Sequence, residues 1–230
     1  MKLLPIITID GPAGVGKTTA AQCLAGDLRL PSLDTGAMFR FIALKLGAEA
    51  LEWPEEKLAS RLEGLNFELA GTGSESILIC NNEKAGSQLR TEAIGNLASR
   101  LASLPVVREQ LRKIQQNLGR QHALIAEGRD MGTVVFPEAA LKFFLDASPA
   151  VRARRRFLQL REKGDQPDLR DLELTIRQRD ERDRSRKIAP LKPAEDAIII
   201  DTSDLALPDV LAKMHAEINR KKQAEPDLVF

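Results

Sequence analysis

Gly11-Pro12-Ala13-Gly14-Val15-Gly16-Lys17-Thr18 decides the fold. The stretch satisfies G-x-x-x-x-G-K-[ST] and lies between an apolar β-type run, 6–9, and a helical pattern that begins at Lys17. A phosphate-binding loop requires that context. Glycines let backbone N–H groups turn inward around phosphate oxygens, a lysine can reach the β and γ phosphates, and a threonine hydroxyl can ligate Mg²⁺. The helix adds its positive dipole end. The sequence thus predicts a nucleoside triphosphate site formed by Asp10, Gly11, Pro12, Ala13, Gly14, Val15, Gly16, Lys17 and Thr18, with Thr18 as the metal-facing residue.

Outward from the loop, three more apolar runs lack the polar alternation of a half-exposed strand: 123–126, 141–145 and 197–200. With 6–9 they read as buried parallel strands. Each ends in or near an acid (Asp10, Glu127, Asp146, Asp201), which puts charged side chains at the carboxyl ends of strands, where open α/β sheets bind ligands. Helical periodicity covers 17–28, 36–46, 91–103, 105–117, 149–163, 169–182 and 207–222. The alternation predicts a three-layer α/β/α fold with a parallel central sheet. Residues 66–90 break the rhythm. There 65–69 and 76–80, separated by Ala70-Gly71-Thr72-Gly73, read as a hairpin, followed by a third short strand near 84–89, and together they make a small antiparallel β insertion.

A chain of 230 residues, 43% hydrophobic and 29% charged, suits one soluble domain. A formal net charge of +1 supplies no global field for nucleic acid or an anionic membrane. No run approaches the roughly 18 consecutive apolar residues of a membrane span, so no membrane partner and a cytoplasmic location are expected. Cys23 and Cys80 lack metal-ligand spacing, and with two histidines a zinc site is not expected. Residues 1–10 read as a first strand rather than a signal peptide. The polar tail, 221–230, reads as frayed.

A phosphate loop alone leaves GTPases, motor ATPases, helicases and small-molecule kinases open. No Asn-Lys-x-Asp guanine-reading motif occurs, and the chain is short and neutral for a helicase or motor. A kinase for a small acceptor leads. Arginine is abundant: Arg40, Arg108, Arg129, the run Arg152, Arg154, Arg155, Arg156 and Arg161, then Arg177, Arg179, Arg182, Arg184 and Arg186. Joining a triphosphate to a phosphorylated acceptor brings like charges together, and guanidinium groups answer that repulsion. A phosphate acceptor is already a nucleophile, so no general base is needed. For the dense runs the alternative is a solvated helix face balanced by Asp and Glu. Arg129, in Glu127-Gly128-Arg129-Asp130-Met131-Gly132-Thr133, instead follows a buried strand directly and stands at the ligand edge of the sheet.

Taken together, 7–18, Leu33-Asp34-Thr35-Gly36-Ala37-Met38-Phe39-Arg40, 128–137 and 179–186 resemble the bacterial cytidylate kinases, of the nucleoside monophosphate kinase group of P-loop NTPases. The resemblance runs over almost the whole chain, and Gly128-Arg129-Asp130-Met131-Gly132-Thr133 is its most specific element. It implies a core of 1–33, 103–148 and 188–230, an acceptor-binding region with the β insertion at 34–102, and a mobile α-helical lid at 149–187. It implies ATP as phosphate donor, Mg²⁺, and CMP, with dCMP, as acceptor in pyrimidine nucleotide synthesis. By the same likeness Arg40, Arg129 and Arg186 hold the acceptor phosphate, Arg179 and Asp183 the ribose, and Ser99, Arg108 and Asp130 the cytosine. Lys17, Arg129, Arg155, Arg156 and Arg186 would act on the transferred group.

A carboxylate such as Asp130 accepts from cytosine's amino group and is repelled by uracil's carbonyl, which is a strong basis for discrimination. The resemblance also implies that Thr35 and Phe39 contact the acceptor, and they fall where the family commonly has Ser and Tyr. Thr35 keeps a hydroxyl, whereas Phe39 can stack but cannot donate a hydrogen bond. The loop after Asp201-Thr202-Ser203 is where the family puts the donor base, and a monomer is expected. Two rivals stay open: a kinase for UMP, AMP or shikimate, and a nucleotide-binding switch that needs a protein partner.

Overall fold

The structure, a computed structural model, describes residues 4–228. Residues 1–3, the start of the expected first strand, and 229–230, the end of the polar tail, lie outside the described residues. In chain order the strands are β1 (Ile6–Asp10), β2 (Ser32–Asp34), β3 (Phe67–Ala70), β4 (Ile77–Cys80), β5 (Glu83–Lys84), β6 (Leu124–Gly128), β7 (Leu141–Asp146) and β8 (Ile198–Asp201). The helices are α1 (Lys17–Leu28), α2 (Thr35–Leu46), α3 (Glu55–Glu63), α4 (Glu92–Leu101), α5 (Pro105–Gln121), α6 (Pro149–Glu162), α7 (Leu169–Arg184) and α8 (Leu207–Ala224).

The four predicted apolar runs become β1, β6, β7 and β8, and with β2 they form a parallel sheet of order β2-β6-β1-β7-β8. Burial on both faces explains the unbroken hydrophobicity of β1, β6 and β7; β8, expected as a buried strand, is instead the sheet edge, with Ile199 61% exposed and Ile200 buried. Ile7, Ile9, Ile125, Phe143 and Leu145 pack on the α1 and α8 side, while Leu33, Leu124 and Ala126 pack on the α2 and α5 side. This alternation fixes where the polar strand ends point. Glu127 has the parity of Ile125 and pairs in register with Ile9 and Asp34, on the α1 side, whereas Asp10 pairs with Gly128 and points to the opposite side.

The insertion is a separate antiparallel sheet of order β3-β4-β5. Asn81 and Asn82, both at positive φ (49° and 66°), turn β4 into β5. The third strand is shorter than expected and earlier: it covers Glu83–Lys84, and Ser87–Arg90 is a 3₁₀ turn that buries Leu89 in the core. Leu89 is an anchor under the insertion rather than a strand residue. The insertion is tied to the core where the Ser76 hydroxyl accepts from Ser32 N at 2.8 Å and Gly73 N donates to Leu30 O at 2.8 Å.

Elements that go beyond the sequence reading include β2, α3, the 3₁₀ turns Ala48–Glu52 and Gly73–Glu75, and the π-helical turn Met131–Val135 that follows β6. At the other end α8 runs two residues past its expected limit, so the first residues of the tail taken as frayed, up to Ala224, are helical. Among the described residues no helix is long and apolar enough to cross a membrane.

Candidate active site

The phosphate loop runs from β1 into α1 with Gly11, Gly14 and Gly16 at φ 147°, 79° and 98°. Gly11 is also sterically obligatory, since a Cβ there would stand 2.0 Å from Leu145 O on the neighbouring strand. Lys17 is buried, and its Nζ donates to Pro12 O at 2.7 Å. Burial, then the Arg129 charge, push its ammonium pKa well below the usual lysine range, while Glu127 and Asp10 pull the other way. A lysine so poised gains by meeting phosphate.

Asp10 does not face the loop's interior. Its carboxylate accepts from Met131 N at 2.9 Å and Gly132 N at 2.7 Å, which pins the π-helical turn after β6 against the first strand. Burial raises its pKa to about 6 in spite of those bonds. On the α1 side, Glu127 pairs in register with Asp34, and the nearby Thr18 hydroxyl favours its charged form. Burial and the Asp34 charge raise its pKa to about 7. Two carboxylates and a hydroxyl are hard oxygen donors suited to a divalent cation. No cluster of three or more metal-ligating His, Cys, Asp or Glu exists among the described residues, so such a cation would take its other ligands from phosphate and water.

Across the strand end from the loop stands the second constellation. Arg108, on α5, donates to Asp130 at 2.6 Å and to Ala102 O at 3.1 Å; both members of the ion pair are buried. The Arg108 guanidinium carbon lies over the Phe39 ring, 5.7 Å from its centroid and within cation–π range. Asp183, on α7, is 1% exposed and takes Arg129 at 3.0 Å on one oxygen and Arg186 on the other. Burial disfavours its charge, but Arg129, Arg186 and Arg179 outweigh that and hold its pKa below the usual carboxylate range. Arg179 is itself lowered to about 10 by burial and by Arg129. The charges of Arg40 and Arg129 both reach Arg179, and those of Arg108, Arg129 and Asp130 reach Arg186, which joins the groups into one field.

Two expected site residues carry polar atoms that are buried without a hydrogen-bond partner, Ser99 Oγ and Arg179 Nε. Such atoms are costly unless something else meets them. Thr35 is engaged already: its hydroxyl donates to Glu127 O at 2.6 Å, and it lies where a Cβ on Gly128 would touch it at 2.8 Å. Arg155 and Arg156 stand apart from the arginine cluster. Arg155 holds the Thr202 hydroxyl at 3.2 Å and the Thr202 carbonyl, at the end of β8, while Arg156 is half-buried with no ion-pair partner among the described residues. Asp34 and Glu127 have no role in the sequence reading; Glu127 carries a signal, as an acid closing a predicted strand next to the phosphate-loop strand, whereas Asp34 closes β2, which periodicity does not mark.

The cytidylate kinase family model matches residues 7–220. The chain belongs to the cytidylate kinase family. It is 52% identical over 218 residues to a cytidylate kinase of Nitratidesulfovibrio vulgaris strain Hildenborough, covering 95% of this chain and 94% of that one. It is 51% identical over 213 residues to a cytidylate kinase of Oleidesulfovibrio alaskensis, covering 93% and 97%. Among solved structures, an uncharacterized protein from Eubacterium ventriosum superposes with a TM-score of 0.50 at 12% identity, over 94% of this chain and 99% of that one, a likeness of fold alone.

Proposed function

We propose that the protein transfers the γ-phosphate of ATP to CMP, giving ADP and CDP, with dCMP as an additional acceptor. The observation that carries the reading is the buried Arg108–Asp130 pair at the end of β6, beside the strand that bears the phosphate loop. One side of the site is built for a triphosphate, and the other offers a carboxylate to an amino group and arginines to a phosphate.

In this reading the loop amides and Lys17 cradle the donor, leaving Pro12 O as phosphate arrives. Arg40, Arg129 and Arg186 hold the acceptor phosphate, Arg179 and Asp183 the ribose, and Ser99 with Arg108 and Asp130 the base. Phe39, under the Arg108 guanidinium, and Thr35, whose hydroxyl donates to Glu127 O and keeps its acceptor lone pairs, line the acceptor side. An acceptor phosphate oxygen attacks the γ phosphorus, the bond to the β–γ bridging oxygen breaks, and its electrons leave with ADP. Mg²⁺, held by Thr18 with Asp34 and Glu127, would neutralise charge between the β and γ phosphates when bound. Closure of 149–187 brings Arg155 and Arg156 onto the transferred group and keeps water out. We read the enzyme as a cytoplasmic monomer that serves pyrimidine nucleotide synthesis.

Phosphorus NMR of ATP with and without CMP tests this. CDP and ADP should appear in equal amounts, and only with acceptor present; ADP and free phosphate without CDP would refute transfer.

A further inference from the structure

The largest fully buried side chain is an arginine, Arg152, at 1% exposure. In a five-residue run with four arginines it has the sequence of a solvated helix face, yet its donors are spent inward. Nε donates to Ala147 O at 2.9 Å, Nη1 to Ala13 O and to Asp180 Oδ1 at 3.0 Å each, and Nη2 to the other Asp180 oxygen. Three segments meet on this one guanidinium: the phosphate loop, the β7–α6 junction and helix α7.

Burying an ion pair is a poor route to stability, because apolar residues of similar volume usually do as well or better. What such a pair adds is direction. Ala13 O and Gly14 N–H belong to one planar trans peptide and point opposite ways. A guanidinium that draws Ala13 O toward itself therefore turns the Gly14 N–H away from Arg152, toward the space the loop encloses. Gly14 lies against this side chain, since a Cβ on it would meet Arg152 Cβ at 3.6 Å. Asp180, which fixes the guanidinium, lies one helical turn before Asp183, which holds Arg129 and Arg186.

We propose that Arg152, fixed by Asp180 of α7, is a positioning residue that orients the Ala13–Gly14 peptide of the phosphate loop. The proposal rests on the functional reading of the loop as the donor site, and on nothing about the acceptor's identity. It explains why the pair is ionic: only a planar fork with several donors serves Ala13 O, Ala147 O and a carboxylate together.

Arg152→Lys, Asp180→Asn and the double substitution Arg152→Met/Asp180→Leu test it by melting temperature, by titration with a non-hydrolysable ATP analogue, and by kcat/KM for each substrate. The double variant should melt near the wild type yet bind the analogue about tenfold or more weakly, and Arg152→Lys should keep its fold with a similar loss. KM for CMP should stay within about twofold. Should the double variant not fold, Arg152→Lys decides. Wild-type affinity for the analogue in a folded Arg152→Lys or double variant would overturn the proposal. The wild type failing to phosphorylate CMP while still binding the analogue would strike the functional reading instead.

Discussion

Arg129 links the arginine cluster around Asp183 to the phosphate loop electrostatically. Its Nε is 3.0 Å from a buried carboxylate, and its charge lowers the pKa of both Lys17 and Arg179. Arg129→Ala should lower kcat/KM about 10²–10³-fold, the scale of losing one charge-stabilising donor from a preorganised site. Asp183 keeps Arg186, so circular dichroism should report an intact fold. Wild-type turnover would contradict the assigned role. Asp10 makes a different prediction, about pH. Its carboxyl binds a proton more tightly in the folded chain, with a pKa near 6 against the model-peptide 3.8, so between these values the folded state holds a proton that the unfolded state has released. Stability then falls as pH rises through that window, by at most about 1.4 kcal/mol per pH unit for one group. Asp10→Asn should be less stable, since Met131 N and Gly132 N donate to different oxygens and the amide NH2 would face one of these donors, and should show a shallower slope in chemical denaturation between pH 4 and 6. Glu127, raised to about 7, keeps part of the slope with the same sign. An unchanged slope would mean that Asp10 titrates normally.

The phosphate loop illustrates how much of an element is legible in sequence. The G-x-x-x-x-G-K-[ST] spacing locates β1, the turn and α1, because glycine is demanded by backbone geometry that side chains disfavour. Gly11→Ala should cost about 3 kcal/mol or more, read as a lower midpoint in thermal denaturation, because it adds a methyl 2.0 Å from a carbonyl of β7. Wild-type thermal stability would show that β1 and β7 can part at this point. β2 and α3 were not legible, for opposite reasons. Ser32–Asp34 is too short for periodicity to register, and only pairing with β6 makes it a strand. In Glu55–Glu63 the buried positions are Leu58 and Leu62, a single i, i+4 pair in a charged segment, and packing rather than pattern holds it. The third insertion strand was misread because Leu89 looks like a strand residue and is a core plug.

For the molecule as a whole, the sheet brings Gly128-Arg129-Asp130 to the strand end beside the phosphate loop, although the two lie far apart in the chain. That adjacency was legible, since buried strands ending in charge mark the ligand edge. The burial of Arg152 was not, for a basic run reads the same whether it meets water or a facing carboxylate, and only the fold supplies Asp180. Nor could sequence tell that Thr35 spends its hydroxyl on Glu127 O, or that Asp34 and Glu127 come together under α1. The proposed division into donor side and base-reading acceptor side converges on Asp130, which is buried with Arg108 and in that proposal would meet an amino group or a carbonyl. The most direct measurement is kcat/KM for CMP relative to UMP in the wild type and in Asp130→Asn. CMP should be strongly preferred by the wild type, and the preference should fall about 100-fold in the variant, whose side-chain amide can serve either pyrimidine. Equal turnover of CMP and UMP by the wild type, or an unchanged preference in Asp130→Asn, would contradict the account.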